Sequence, residues 1–141
     1  MTNTAQKKNR GGFTLVELAV VIVIIGVLAA FGVPRFLKSV ERSKAAEAFA
    51  YLSAVQGAQE RYNIQHGTYA SDITTLDFTQ QPLKYFSVGS ITATEDTWTL
   101  TLTRLPGSSG YGQYTVIWTE LGFDSTNSGI AALPDINPIG P

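Results

Sequence analysis

From Phe13 to Val33 the chain runs through 21 residues whose only charged side chain is Glu17. As a helix rising 1.5 Å per residue this stretch reaches about 31 Å, the thickness of a bilayer's hydrocarbon core. The segment reads as a membrane span, and about a hundred residues remain for a water-soluble body with one small core. A secretory signal also begins with an apolar run and ends at a small-x-small site, a form that Ala30-Phe31-Gly32 has. Against ordinary cleavage there stand the length of the run, the acid inside it and a helical pattern that continues past Pro34.

Glu17 needs a physical explanation. An unpaired charge inside a span costs a few kcal/mol and is usually retained only where it has a partner. The segment itself holds no cation: Arg10 precedes it and Arg35 follows it. Were the chain cut between Gly12 and Phe13, a new α-ammonium would stand four residues from Glu17, at a similar depth. Within one helix the two groups meet awkwardly. Between parallel helices offset along their axes, the ammonium of one copy can meet the carboxylate of another, so that neither charge is buried alone. The helix dipole also favours an acid in the first turns, though only by tenths of a kcal/mol.

Lys7-Lys8-Asn9-Arg10-Gly11-Gly12 followed by Phe13-Thr14-Leu15-Val16-Glu17 resembles the class III signal of bacterial type IV pilins and the related type II secretion pseudopilins. The shared features are a basic leader, Gly before the cut, Phe after it, Glu five residues into the mature chain and an unbroken apolar run reaching a Pro. The resemblance implies that a membrane-embedded aspartic prepilin peptidase removes residues 1–12 after Gly12, and that Phe13 is then N-methylated. Methylation keeps the positive charge of the amine. It further implies a precursor in the bacterial inner membrane with the leader inside, and later an extracellular or periplasm-spanning filament. Charge counting does not fix that orientation, because Arg35, Lys38, Arg42 and Lys44 follow the span closely, while Lys7, Lys8 and Arg10 precede it. The implied partners are further copies in a helical filament, related minor pilins, the peptidase, and an inner-membrane assembly platform driven by a separate ATPase. Gly26, Gly32 and Pro34 weaken the helix and predict a kink. The resemblance adds that Gly26 to Pro34 loses helical structure on entering the filament. Gly26 and Ala30 also form a small-xxx-small pair that permits close helix contact.

Beyond Pro34 the pattern turns amphipathic: Leu37, Val40, Ala45, Ala48, Phe49, Leu52, Val55, Gln59 and Tyr62 recur at three- and four-residue steps. Lys38, Glu41, Arg42, Glu47 and Glu60 fall mainly off this stripe. One helix from about Thr14 to Gln65 follows, stopped by His66 and Gly67. A turn-rich loop runs from Gly67 to Phe78, and its Gly67-x-Tyr69 followed by Leu76 is similar to the corresponding loop of the same family. Tyr85 to Thr94, Thr97 to Leu105 and Tyr114 to Glu120 are rich in β-branched and aromatic residues, and Trp98, Leu100, Leu102 and Arg104 alternate with threonines. Glu95-Asp96 marks one turn and Pro106-Gly107-Ser108-Ser109-Gly110 another. The expected fold is α+β and pilin-like: a long N-terminal helix, its first half transmembrane, packed against a small antiparallel sheet of three or four strands. The divisions are a leader at 1–12, the helix at 13–66 (span 13–34, amphipathic 35–66), a loop-and-sheet head at 67–123 and an irregular tail at 124–141. The tail shows no periodicity and is expected to be loosely packed or disordered.

Composition narrows the function. Three of the ten basic residues precede Phe13, which leaves seven against eleven acids, and after Ala46 only Arg61, Lys84 and Arg104 face nine acids. Nucleic-acid binding needs clustered cations, so it is not expected. With no cysteine the chain has neither disulfides nor thiolate sites. His66 is the only histidine, and the acids are scattered through loops, so no nucleophile, base and acid converge and no enzyme is expected. Asp124, Ser125, Asn127 and Asp135 offer oxygens without the spacing of a calcium loop, so no metal is expected. No glycine motif suits a phosphate, and no cofactor is implied. The sequence therefore points to a structural subunit of a pilus-type filament. A type II secretion pseudopilin is the alternative, ahead of a tethered sensor or adhesin whose span never leaves the membrane.

Overall fold

The computed structural model describes residues 12–79, 81–107 and 110–140. The leader residues Lys7, Lys8, Arg10 and Gly11, and Ser108 and Ser109 of the second expected turn, lie outside the described residues. The chain divides into two units between Arg35 and Phe36.

Helix α1 spans Leu15–His66 and contains Pro34. The stretch from Gly26 to Pro34, expected as a weak point, is helical throughout. Pro34 lacks an N–H, so the carbonyl of Ala30 goes without its usual helical donor. The helix closes as the sequence suggests. Gly67 takes φ +73°, a left-handed conformation that glycine adopts without Cβ strain, and its N–H donates to the carbonyl of Asn63 at 2.7 Å. In the last turn the His66 ring stacks on Tyr62 with centroids 4.0 Å apart.

In the second unit α1 buries Ala45, Ala48, Phe49, Leu52, Val55 and Ala58 beneath an antiparallel sheet. Its strands are β1 (Phe86–Val88), β2 (Thr92–Ala93), β3 (Trp98–Arg104), β4 (Thr115–Thr119) and β5 (Gly122–Phe123). The order is β1-β3-β4-β5, and β2 also pairs with β3. Along β3 the residues Trp98, Leu100, Leu102 and Arg104 turn inward while the intervening threonines stay half-buried, which is the expected period of two. Val116 and Trp118 of β4 face the same core, and Trp118 meets Phe49 edge-on at 5.7 Å.

The sheet has five strands rather than three or four, chiefly because the run expected from Tyr85 to Thr94 is broken. Val88 pairs with Leu102 and Thr92 with Thr99, so the outer strand carries one residue more than its partner over this interval. This is a β-bulge. Gly89 lies in it: its N–H donates to the Thr101 carbonyl at 2.9 Å, and a Cβ at this position would stand only 2.8 Å from that oxygen. The bulge brings Ile91 into the core.

Two further expectations need correction. Glu41, read as lying off the buried stripe, is fully buried. Arg104 reaches it from β3 in a forked contact, Nε to Oε1 at 2.6 Å and Nη2 to Oε2 at 3.2 Å. The Tyr114 hydroxyl donates to Oε1 at 3.0 Å and Lys44 stands 3.3 Å from Oε2. The remaining Arg104 nitrogen donates to the carbonyls of Tyr85 and Leu105. A buried charge persists only when paired and hydrogen-bonded, and here the inward Arg104 supplies both conditions. Burial, followed by the Glu41 charge, pushes the Tyr114 phenol up from its ordinary value.

The tail is irregular but not loose. Ile130 and Ile136 are fully buried, the first within a 3₁₀ turn at Gly129–Ala132. The Ser128 hydroxyl accepts from the Ile117 N–H at 2.8 Å, and Lys38 pairs with Asp135 at 2.6 Å. Isolated anchors of this kind leave no period in the sequence.

Candidate assembly segment

The processing and assembly residues expected from the sequence fall in and just before the first half of α1. Gly12 and Phe13 precede the helix in irregular, exposed backbone, and Phe13 is 81% exposed. Thr14 and Glu17 are brought together at the helix start. The Thr14 N–H and hydroxyl donate to Glu17 Oε2 at 2.8 and 2.9 Å, and the Glu17 N–H donates to Thr14 Oγ1 at 3.2 Å. This reciprocal arrangement is a capping box, which satisfies the first free N–H groups of a helix. The Thr-x-x-Glu spacing ahead of an apolar run is its sequence signature, a signal the charge argument passed over. The box supplies hydrogen bonds but no opposite charge. Among the described residues Glu17 has no ion pair.

The segment that follows is long and apolar enough to cross a membrane, and none of it is buried within the chain. Leu15, Ile22, Leu28 and Phe31 are each more than half exposed. A Cβ added at Gly26 or Gly32 would meet nothing within 4 Å. The chain's own packing therefore does not require glycine at either position, and the small side chains shape only the outward face. Pro34 lies farther along the same helix, apart from the capping box.

Asp124 and His66 are occupied structurally. Asp124 Oδ1 accepts the N–H groups of Thr126 and Asn127, and Oδ2 accepts Asn127 Nδ2 at 2.7 Å. Among the described residues no three His, Cys, Asp or Glu side chains are grouped to hold a metal ion. His66 Nδ1 faces the Tyr62 carbonyl at 3.0 Å.

An exposed apolar helix with a capped acid at its start, belonging to a chain whose second unit is a small helix-on-sheet head, fits a membrane-anchored protein of pilin type. The chain belongs to the type IV pilin family: residues 34–115 match the family described as "Type IV minor pilin ComP, DNA uptake sequence receptor". Residues 7–33 match the prokaryotic N-terminal methylation motif. Among relatives, the type IV major pilin protein PilA of Myxococcus xanthus is 41% identical over 71 residues, which cover 50% of this chain and 32% of that protein. The type II secretion system core protein G of Aeromonas hydrophila is 35% identical over 72 residues, 51% of this chain and 50% of the relative. The type IV major pilin protein PilE of Neisseria gonorrhoeae is 37% identical over 73 residues, 52% and 41% of the two chains. The chain thus spans between a third and a half of the length of these curated relatives.

Proposed function

We propose that this chain is a structural subunit of a type IV pilus-like filament, held in the inner membrane by its apolar helix until assembly. A prepilin peptidase cuts after Gly12, Phe13 becomes the methylated N-terminus, and the new ammonium of one subunit pairs with Glu17 of a neighbour. The observation that carries this reading is the fully exposed apolar segment with glycines that the chain's own packing does not need. Such a surface is stable only in lipid or against other helices. The methylation motif over residues 7–33 supports the processing step. Assembly driven by a separate ATPase and platform accords with a chain that has no phosphate-binding glycine motif.

The matched family includes a DNA uptake receptor in its description, but the charges of this head favour a structural role. Of its three cations after Ala46, Arg104 is buried on Glu41, and Arg61 donates to the carbonyls of Gly57 and Asp77. A type II secretion pseudopilin would use the same helix and the same cleavage. The test is the intact mass of the subunit in filaments sheared from cells. Loss of residues 1–12 with gain of one methyl group is the expected result. A chain that keeps its first twelve residues and is missing from the sheared fraction would overturn the proposal.

A further inference from the structure

The second unit begins at Phe36, just beyond the apolar run that ends at Val33. Phe36 is 67% exposed and Leu37 is 40% exposed. The C-terminal tail adds a third apolar side chain to this end of the head. Lys38 pairs with Asp135 at 2.6 Å, and an Arg42 nitrogen donates to the Pro138 carbonyl at 3.3 Å, so the tail is fastened along the first turns of this part of α1. Between these two contacts Ile136 is fully buried, whereas Ile139, one residue past them, is 60% exposed.

The charges of the head are sorted along the same direction. Of the six cations that follow Arg35, only Arg61 stands apart from this end of the helix. Lys44, Lys84 and Arg104 gather around the Tyr85 ring, their charged groups 5.2, 5.4 and 5.6 Å from its centroid. Glu41 occupies Arg104 and Lys44, Asp135 occupies Lys38, and Glu47 accepts the Lys84 N–H. Arg42 and Lys84 are exposed and form no ion pair among the described residues. Acids collect at the far end: the Asn63 side chain donates to the Glu95 carbonyl and Gln56 to that of Glu120, close to Glu60 on the last turns of α1. Along α1, Lys38 stands about 8 Å and Arg42 about 14 Å beyond Val33. The headgroup layer of a bilayer is about 5–7 Å deep on each side. Helical side chains lean toward the N-terminus, and the long stem of an arginine carries its charge farther in that direction.

From this layout we propose that the span end of the head is a membrane-docking surface, with Phe36 and Ile139 set in the headgroup layer of the bilayer that holds the span and Arg42 on the phosphates of anionic lipids. Two observations select a lipid surface as the partner. The patch is continuous in sequence with the exposed apolar segment, and it combines exposed apolar side chains with cations, as interfacial segments do. Lys84 adds to the attraction at longer range. The inference rests on the membrane-anchoring part of the proposed function and adds to it a second contact, made by the tail, that holds the head down on the bilayer while the subunit awaits assembly.

Because the chain has no cysteine, one environment-sensitive fluorophore can be placed at Ile139→Cys in the full-length chain. The labelled chain is reconstituted into vesicles of phosphatidylglycerol with phosphatidylcholine, and into vesicles of phosphatidylcholine alone. Emission should be blue-shifted in the first and quenched there by lipids carrying a headgroup nitroxide, and the shift should be smaller in the second. The same probe at Leu121→Cys, 91% exposed on the turn between β4 and β5, should keep aqueous emission in both. Arg42→Gln removes the charge but keeps an N–H donor for the Pro138 carbonyl, and it should abolish the difference between the two vesicles. Equal emission from Ile139→Cys in both vesicles, an equal shift at Leu121→Cys, or an Arg42→Gln chain that behaves as wild type would overturn the docking surface while leaving the anchored span intact. Failure of the wild-type chain to float with either vesicle would overturn the anchoring reading as well.

Discussion

At the scale of single residues, the head depends on one charge pair that the sequence conceals. Glu41 and Arg104 lie 63 positions apart and are both buried, joined by Nε to Oε1 at 2.6 Å. Removing one partner leaves the other charge buried alone, so Arg104→Ala is expected to destabilise the head by about 3–5 kcal/mol, read from thermal unfolding of the full chain in detergent. Arg104→Lys recovers only part of this loss, since an ammonium cannot reproduce the fork. Asp124 supplies a pH dependence. The Asn127 side chain, then the Asn127 N–H, hold its carboxyl below the ordinary 3.8. A depressed folded-state pKa means that its stabilising contribution is complete above the unfolded value and is lost as pH falls through the folded one. Wild type should therefore exceed Asp124→Ala in melting temperature at neutral pH, and the difference should close as the pH falls below the ordinary 3.8 and through the lowered folded-state value. An unchanged difference would remove the carboxylate from the account.

At the scale of elements, the sequence was most legible where a single period governs a long stretch. The helix, its stop at Gly67 and the alternation along β3 follow from steps of three and four residues, one glycine and steps of two. What escaped were features made by meeting partners. Glu41 has the spacing of the buried stripe, four and seven residues before Ala45 and Ala48, but its charge reads as outward until Arg104 arrives from the sheet, and Ile136 has no spacing at all, yet both are fully buried. The bulge at Gly89 was equally hidden, because a strand-like composition does not reveal an extra residue. It yields its own test. Since a Cβ there would stand 2.8 Å from the Thr101 carbonyl oxygen, Gly89→Ala should cost about 1–3 kcal/mol and loosen β1 and β2, measured by unfolding and by amide exchange across these strands. An unchanged melting temperature would mean that the backbone shifts freely at this point.

At the scale of the whole molecule, a folded head and an unburied apolar helix segment belong to one chain, and the second cannot be left in water. In the proposed function, lipid satisfies it before assembly and neighbouring helices afterwards. Glu17 separates these two states. Its capping box with Thr14 satisfies the helix start but leaves the charge uncompensated, so lipid tolerates the acid at a cost of a few kcal/mol, whereas a packed bundle can supply the counter-ion. The central claim is that this counter-ion is the amino terminus of another copy. Its most direct test is the share of membrane-inserted Glu17→Ala subunits recovered in sheared filaments, compared with wild type at equal membrane abundance. The account expects insertion to be unchanged or improved and filament recovery to collapse; equal recovery of the two chains would contradict it.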